Sequence, residues 1–498
     1  MSARPLVPFS ETPRASPSPE VGGTYSLMLS SLVLLATSAA HEGVSKAAEA
    51  APPTLANYIA TALFALAVIH TFMVKRFAAL AHRYPEGSIP ENLLHFLAET
   101  EVVFGLWAAA LFAAIAAING SIGKAVEYVE SLNFTEPKFV LVIMVVAATR
   151  PVVQLAEKTL VGLARLLPLN QSVAFYLTAL SVGPLLGSFV TEPAAMTLLA
   201  ILLKRRYFDC GISKRLAYAT IGLLFVNVSI GGTLTHFAAP PVLMVASTWG
   251  YGTMHMLTHF GWKAVISSVV STLIVTGLFR KELSTIEPAE DQGIAIPSWL
   301  TALHVLFLAA VVLFSHHADV FFGVFMLFLG LVTATKEYQD ELKLREGLLV
   351  GFFLAGLVTL GNLQEYWLRP LITSLGGSAL YFGATALTAI TDNAALTYLG
   401  SLVEGITPEL KYALLAGAVT GGGLTVIANA PNPAGAGILH NAKVFENQGI
   451  SPGGLFLGAL MPTAVAIVCF WFLGHPEPDD IDPAAASPPV AIEAPSEM

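Results

Sequence analysis

Thr191-Glu192-Pro193-Ala194-Ala195-Met196-Thr197-Leu198-Leu199 and Thr391-Asp392-Asn393-Ala394-Ala395-Leu396-Thr397-Tyr398-Leu399 agree at five of nine positions, with an acid set against an acid. A second pair follows in the same order. Gly231-Gly232-Thr233-Leu234-Thr235-His236-Phe237-Ala238-Ala239-Pro240-Pro241 and Gly421-Gly422-Gly423-Leu424-Thr425-Val426-Ile427-Ala428-Asn429-Ala430-Pro431 agree at six of eleven. One such match is within chance for an Ala- and Leu-rich chain; two in the same order mark a duplication. Each copy joins an interrupted apolar stretch, 173–203 or 377–403, to a longer one broken by Gly and Pro, 216–247 or 410–440.

The solvent for these copies follows from composition. Of 498 residues, 55% are hydrophobic and 12% charged, with a mean hydropathy of +0.69. Soluble domains carry about 25% charged residues, so this chain belongs in a membrane. Apolar segments of about 17–25 residues cross a bilayer as helices, and further ones lie near 55–74, 94–118, 139–167 (interrupted at Arg150-Pro151), 262–279, 298–315, 319–335, 346–361 and 454–473. No run alternates with period two for about ten residues, as a barrel strand would. The net charge of -9 owes six acids to the tail; the rest holds 28 acids against 25 bases, with no basic stripe for nucleic acid. Cys210 and Cys469 imply neither a disulfide framework nor a metal cluster. Neither a nucleophile beside a base nor His and acids at metal spacing is present, so the chain is not read as an enzyme, and no cofactor is implied.

Basic clusters set the sidedness. Lys75-Arg76, Lys204-Arg205-Arg206, Arg280-Lys281, and Lys336 with Lys343 and Arg345 face the cytoplasm, while loop 119–137 and the acidic tail face outward. The walk along the chain satisfies this only if 173–203 and 377–403 enter and leave on one side. Five crossings separate them, so the second enters from the opposite face. The expected fold is an all-α polytopic membrane protein with inverted repeats, each with a re-entrant helical hairpin and a broken transmembrane helix, as in secondary transporters. The expected organisation is a leader over 1–54, N-terminal helices over 55–170, repeat 1 over 171–285, linking helices over 286–370, repeat 2 over 371–475 and a disordered acidic tail over 476–498. Within the leader, the apolar run Tyr25 to Ala40 is either a signal peptide cleaved after Ser38-Ala39-Ala40 or an uncleaved first helix.

An ionisable residue at membrane depth costs about 2.5–3.5 kcal/mol on insertion scales and persists where it faces a cavity or partner. Glu192 and Asp392 are such residues, one in each hairpin. Capping of the following helix is the simpler role for either; symmetric placement favours ion binding. The Gly/Pro-broken helices cannot keep a continuous hydrogen-bond ladder, which frees carbonyls and makes the hydroxyls of Thr235 and Thr425 and the amide oxygens of Asn429 and Asn432 available to a hard cation. The second break is expected to pass the second hairpin at Ala434 and Gly435. Glu99, Glu101 and His236 are candidates for a proton path.

The run Thr388 to Asn393 and the break Gly421 to Pro433 resemble the NhaD-type sodium/proton antiporters of the ion transporter superfamily, and His95-Phe96-Leu97-Ala98-Glu99-Thr100-Glu101-Val102-Val103-Phe104-Gly105-Leu106-Trp107 is similar to a segment of a bacterial group described as Na+/H+ antiporters. The resemblance covers roughly 90–475. It implies a multi-pass inner-membrane carrier with a scaffold and a moving part, commonly a dimer, and assigns ion binding to Asp392, Asn393, Thr391 and Asn429, with Thr191 in the matching place. Glu192-Pro193 departs from the polar motif of the anion carriers in that superfamily. The function expected is exchange of Na+ (or Li+) for H+ by alternating access, with Asp392 the principal carboxylate and Glu192 a second site or proton carrier. The alternative is a cation- or proton-coupled anion carrier on the same scaffold.

Overall fold

The structure, a computed structural model, describes residues 53–286, 295–440, 442–445 and 449–474. The leader, with its signal-peptide and first-helix alternatives, and the tail 476–498 lie outside these residues. The described chain is helical throughout, without a strand. Among the described residues, six helices are long and apolar enough to cross a membrane, and one bent pair makes a seventh. It is an all-α, multi-pass membrane protein.

α1 (Leu55–Ala81), α2 (Ile89–Leu97), α3 (Val103–Asn119), α4 (Ile122–Glu130), α5 (Thr135–Ala147) and α6 (Arg150–Leu166) precede the first repeat. The run 94–118, expected as one span, is broken: α2 ends at Leu97 and a 3-10 turn at Thr100–Val102 leads into α3. The break keeps Glu99 and Glu101 out of a continuous apolar helix, where charge is costly. α5 and α6 meet at 67° at Arg150-Pro151, as expected. Pro151 fits the first turn of a new helix, where a missing N–H costs nothing.

The first hairpin is α7 (Gln171–Val190) with α8 (Glu192–Arg206); its broken helix is α9 (Lys214–Gly231), a 3-10 turn at Gly232–Leu234, and α10 (Pro240–Trp249). α11 (Thr253–Leu278), α12 (Ser298–Leu313), α13 (Ala318–Ala334), α14 (Leu344–Gly361) and the short α15 (Glu365–Ser374) follow. The second hairpin is α16 (Gly377–Thr388) with α17 (Asn393–Ser401), its broken helix α18 (Pro408–Gly421) and α19 (Asn432–His440), before the final α20 (Pro452–Phe472). Inverted repeats, each a hairpin plus a broken helix, are therefore present.

α3, α5 and α12 to α14 share one apolar core, with edge-to-face ring pairs Phe104–Phe353 and Phe139–Phe321. The repeats fill two others. Within them the halves cross over: α10 packs on α17 and α19 on α8. Gly435 accordingly lies against the first hairpin, where a Cβ would come 2.5 Å from Met196 Sδ. The expected passage by the second hairpin is corrected, because each half-helix beyond a break reaches across to the other repeat.

Two polar ties hold the frame. Asn227, fully buried in α9, donates to the carbonyls of Leu180 (2.8 Å) and Ser268 (3.3 Å) and to Thr272 Oγ1 (3.1 Å), and accepts from Ser271 Oγ (3.0 Å). It thereby links α7, α9 and α11. Interhelical bonds in a bilayer average about 0.6 kcal/mol each, so Asn227→Ala should cost about 1–2 kcal/mol in total. Its melting temperature in detergent should fall, and an unchanged value would contradict this role.

In the loops, Asp209 accepts from Lys204 Nζ (2.7 Å) and from the Lys443 backbone N–H (3.0 Å), joining the ends of α8 and α19. Partial burial, the largest single influence, raises its pKa, but the bonds from Lys204 and the Lys443 N–H together with both lysine charges outweigh it and hold the carboxyl below its ordinary 3.8. Since the folded value is the lower one, the tie stabilises fully above pH 3.8 and is lost as pH falls through the folded value. Asp209→Asn should therefore lower the melting temperature slightly at pH 7, the loss being less than about 1 kcal/mol for a partly exposed pair. The difference from the unmodified protein should close below that pH in a thermal-melt series.

Candidate functional site

The hairpin tips dock on the broken helices through the same bonds in both repeats. Thr235 Oγ1 donates to the Ser188 carbonyl (2.6 Å) and Thr425 Oγ1 to that of Ala389 (2.8 Å). The Glu192 N–H donates to the Ala238 carbonyl (3.3 Å), and the Asn393 N–H to that of Ala428 (3.1 Å). The broken helices correspond as their sequences align, but the hairpins are slipped by one residue. Glu192 occupies the place of Asn393, and Thr191 that of Asp392. The sequence register is corrected here: the repeated Ala-Ala pair favours the unshifted alignment, and the docking carbonyl sets the shifted one.

This slip separates the two acids by role. Asp392 is the N-cap of α17, its Oδ1 accepting from the N–H groups of Ala394 (2.8 Å) and Ala395 (3.1 Å). A carboxylate there also complements the helix dipole. Glu192 instead begins α8 and is fully buried. Its Oε2 accepts from Asn429 Nδ2 (3.0 Å), a residue of the other repeat's break. Its Oε1, Thr191 Oγ1 and Asn429 Oδ1 are buried oxygens without a partner. Thr191 is also the only described non-Gly residue with positive φ, at 104°. Such backbone costs of order 1–3 kcal/mol and persists where its surroundings impose it; here it sets the turn that aims Glu192 inward.

At the matching place in the second repeat the charge is replaced by an amide. Both side-chain atoms of Asn393 are buried and unpartnered, as are Thr388 Oγ1 and Asn432 Oδ1, while Asn432 Nδ2 donates to the carbonyls of Gly422 (2.7 Å) and Thr425 (2.9 Å). Thr391 Oγ1 bonds within its own segment, to the Leu387 carbonyl (2.9 Å). Thr235 and Thr425, expected as free oxygens, donate their protons as latches between tip and break. Thr388 was missed; the available signal was its place one helical turn ahead of the tip.

Among the proton-path candidates, Glu99 is paired with Arg345. Glu101 is half-buried. His236 lies apart, in a cleft with Glu136, Ser247 and His316. Its Nδ1 is 2.8 Å from Thr253 Oγ1 and its ring stacks on His316 at 6.3 Å.

Leaving a buried polar atom unpaired costs about 1–3 kcal/mol, more if charged. A cluster of such oxygens around one carboxylate is relieved by a proton on the carboxylate or by a hard cation with oxygen ligands.

No curated protein matches the chain. Among solved structures, the crystal structure of the Alcanivorax borkumensis YdaH transporter, described as having an unusual topology, is 16% identical over 75% of this chain and 96% of that one, with a TM-score of 0.44. A family model described as "Putative Na+/H+ antiporter" matches residues 55–473. The chain belongs to that Na+/H+ antiporter family.

Proposed function

We propose that this protein exchanges Na+ for H+ across the inner membrane by alternating access, and that Glu192 is the carboxylate for which the two ions compete. The observation that supports this most is the fully buried Glu192 with one oxygen unpartnered beside the equally unpartnered oxygens of Thr191 and Asn429. A proton on Glu192 removes the cost of a buried charge; sodium, held by the ionised carboxylate with the hydroxyl and amide oxygens, removes it in another way. Both cannot bind together, so each turnover exchanges one for the other. Asn393, with Thr388 and Asn432, forms a neutral counterpart in the second repeat. Asp392 caps α17 and tunes the field at Glu192. Glu101, on the side of Arg345, and His236, in its own cleft, carry protons toward Glu192. Li+ substitutes for Na+, and the working unit is a homodimer.

Everted vesicles carrying the protein and a pH-sensitive dye test this reading. With a pre-formed proton gradient, Na+ or Li+ should collapse the gradient, and sodium-free anion salts should not. Collapse by an anion alone, with Na+ inert, would replace the reading with anion carriage.

A further inference from the structure

At the face where α10 ends and α11 and α18 begin, two lysines stand without an acid among the described residues. Lys263 is 2% exposed, and its ammonium donates to Tyr412 Oη (2.7 Å) and to the Gly474 carbonyl (2.6 Å), both neutral. It lies 4.4 Å from the centroid of the Tyr412 ring. Lys411, the next residue on α18, places its ammonium 5.8 Å from the Trp249 ring centroid. Of the described acids nearest Lys411 in sequence, Glu404 reaches Arg369 (3.9 Å), and the carboxyl of Glu409 lies beside Gly377 of α16. On the reading of the basic clusters this is the outward face, where Lys and Arg are disfavoured. Cations retained there need a reason.

Trp249 supplies an independent one. It is 7% exposed, its indole nitrogen is buried, and that N–H has no acceptor. An indole N–H can only donate. The missing group must therefore bring oxygen acceptors and negative charge together. The neighbouring segment indicates its source: Met254, Leu257 and Trp262, on the first turns of α11, expose 72%, 40% and 40% of their surface, and Trp and Tyr gather at headgroup depth. We propose that this face binds one anionic phospholipid by its phosphate, through Lys411 and the Trp249 N–H, with the charge of Lys263 adding to the attraction and the acyl chains lying along the exposed apolar side chains of α11.

Native mass spectrometry of the full-length protein, with phosphatidylglycerol or phosphatidylcholine added to the detergent, tests this independently of transport. The unmodified protein should retain phosphatidylglycerol in preference. Lys411→Gln should retain about fivefold less, the loss expected for one cation near a lipid surface. Trp249→Phe keeps the ring and removes only the N–H, and should also retain less, which guards against a folding defect in the first variant. Inorganic phosphate at the same concentration should leave the melting temperature unchanged, whereas phosphatidylglycerol should raise it. Equal retention of the two lipids, unchanged retention in both variants, or equal stabilisation by inorganic phosphate would each overturn the proposal.

Discussion

Glu192→Gln is expected to reduce sodium-driven proton movement to the level of vesicles lacking the protein, with normal insertion and elution. The amide can still accept from Asn429 Nδ2, as Glu192 Oε2 does at 3.0 Å, so the fold loses little. What disappears is the group that can hold a proton or ligate sodium with full charge. An amide is also cheaper to bury than a carboxylate, so the variant should be as stable as its parent or more so. Asp392→Asn is the paired measurement. Asn caps helices about as well as Asp, so the bonds from Ala394 and Ala395 to Oδ1 should persist. Exchange should continue with weaker apparent sodium affinity and a shifted pH profile. Silence in Asp392→Asn alongside full exchange in Glu192→Gln would reverse the two roles and return Asp392 to the principal place.

Gly422→Leu should have the next largest effect. A Cβ on Gly422 would lie 2.8 Å from Asn393 Nδ2 and collide with Ser229 Oγ. Ser229 Oγ itself donates to the Val419 carbonyl (2.7 Å), a bond between the two repeats. The added side chain must therefore push the second hairpin off its break or part the repeats. Overpacking of this kind costs about 1–3 kcal/mol, less than the scaffold core should tolerate. Inserted, monodisperse protein without exchange is the expected outcome, and Gly422→Ala should fall between. Full exchange in Gly422→Leu would show that close docking at this point is dispensable.

The sequence by itself determined the solvent, the fold class and the breaks near Arg150-Pro151, Gly231 and Gly421, though not the one at Thr100–Val102. Hydropathy requires the bilayer, the duplicated Gly-Gly and Pro signals stop the helices at Gly231 and Gly421, and Pro151 bends the α5–α6 pair. These are local effects of missing N–H groups and apolar surface, so they can be read residue by residue. Glu192, Asp392, Asn393 and Asn429 were also visible as polar groups that an apolar stretch does not need. Their division of labour was not. Which acid caps a helix and which keeps a buried oxygen without a partner depends on a one-residue slip between hairpins, fixed by whether the Glu192 or the Asp392 N–H reaches the docking carbonyl. The pairing of Glu192 with Asn429 joins residues far apart in the chain, and no local pattern encodes it. Tertiary packing alone, which carries each half-helix across to the other repeat, decided that a single carboxylate lies at the crossing with its oxygen unsatisfied.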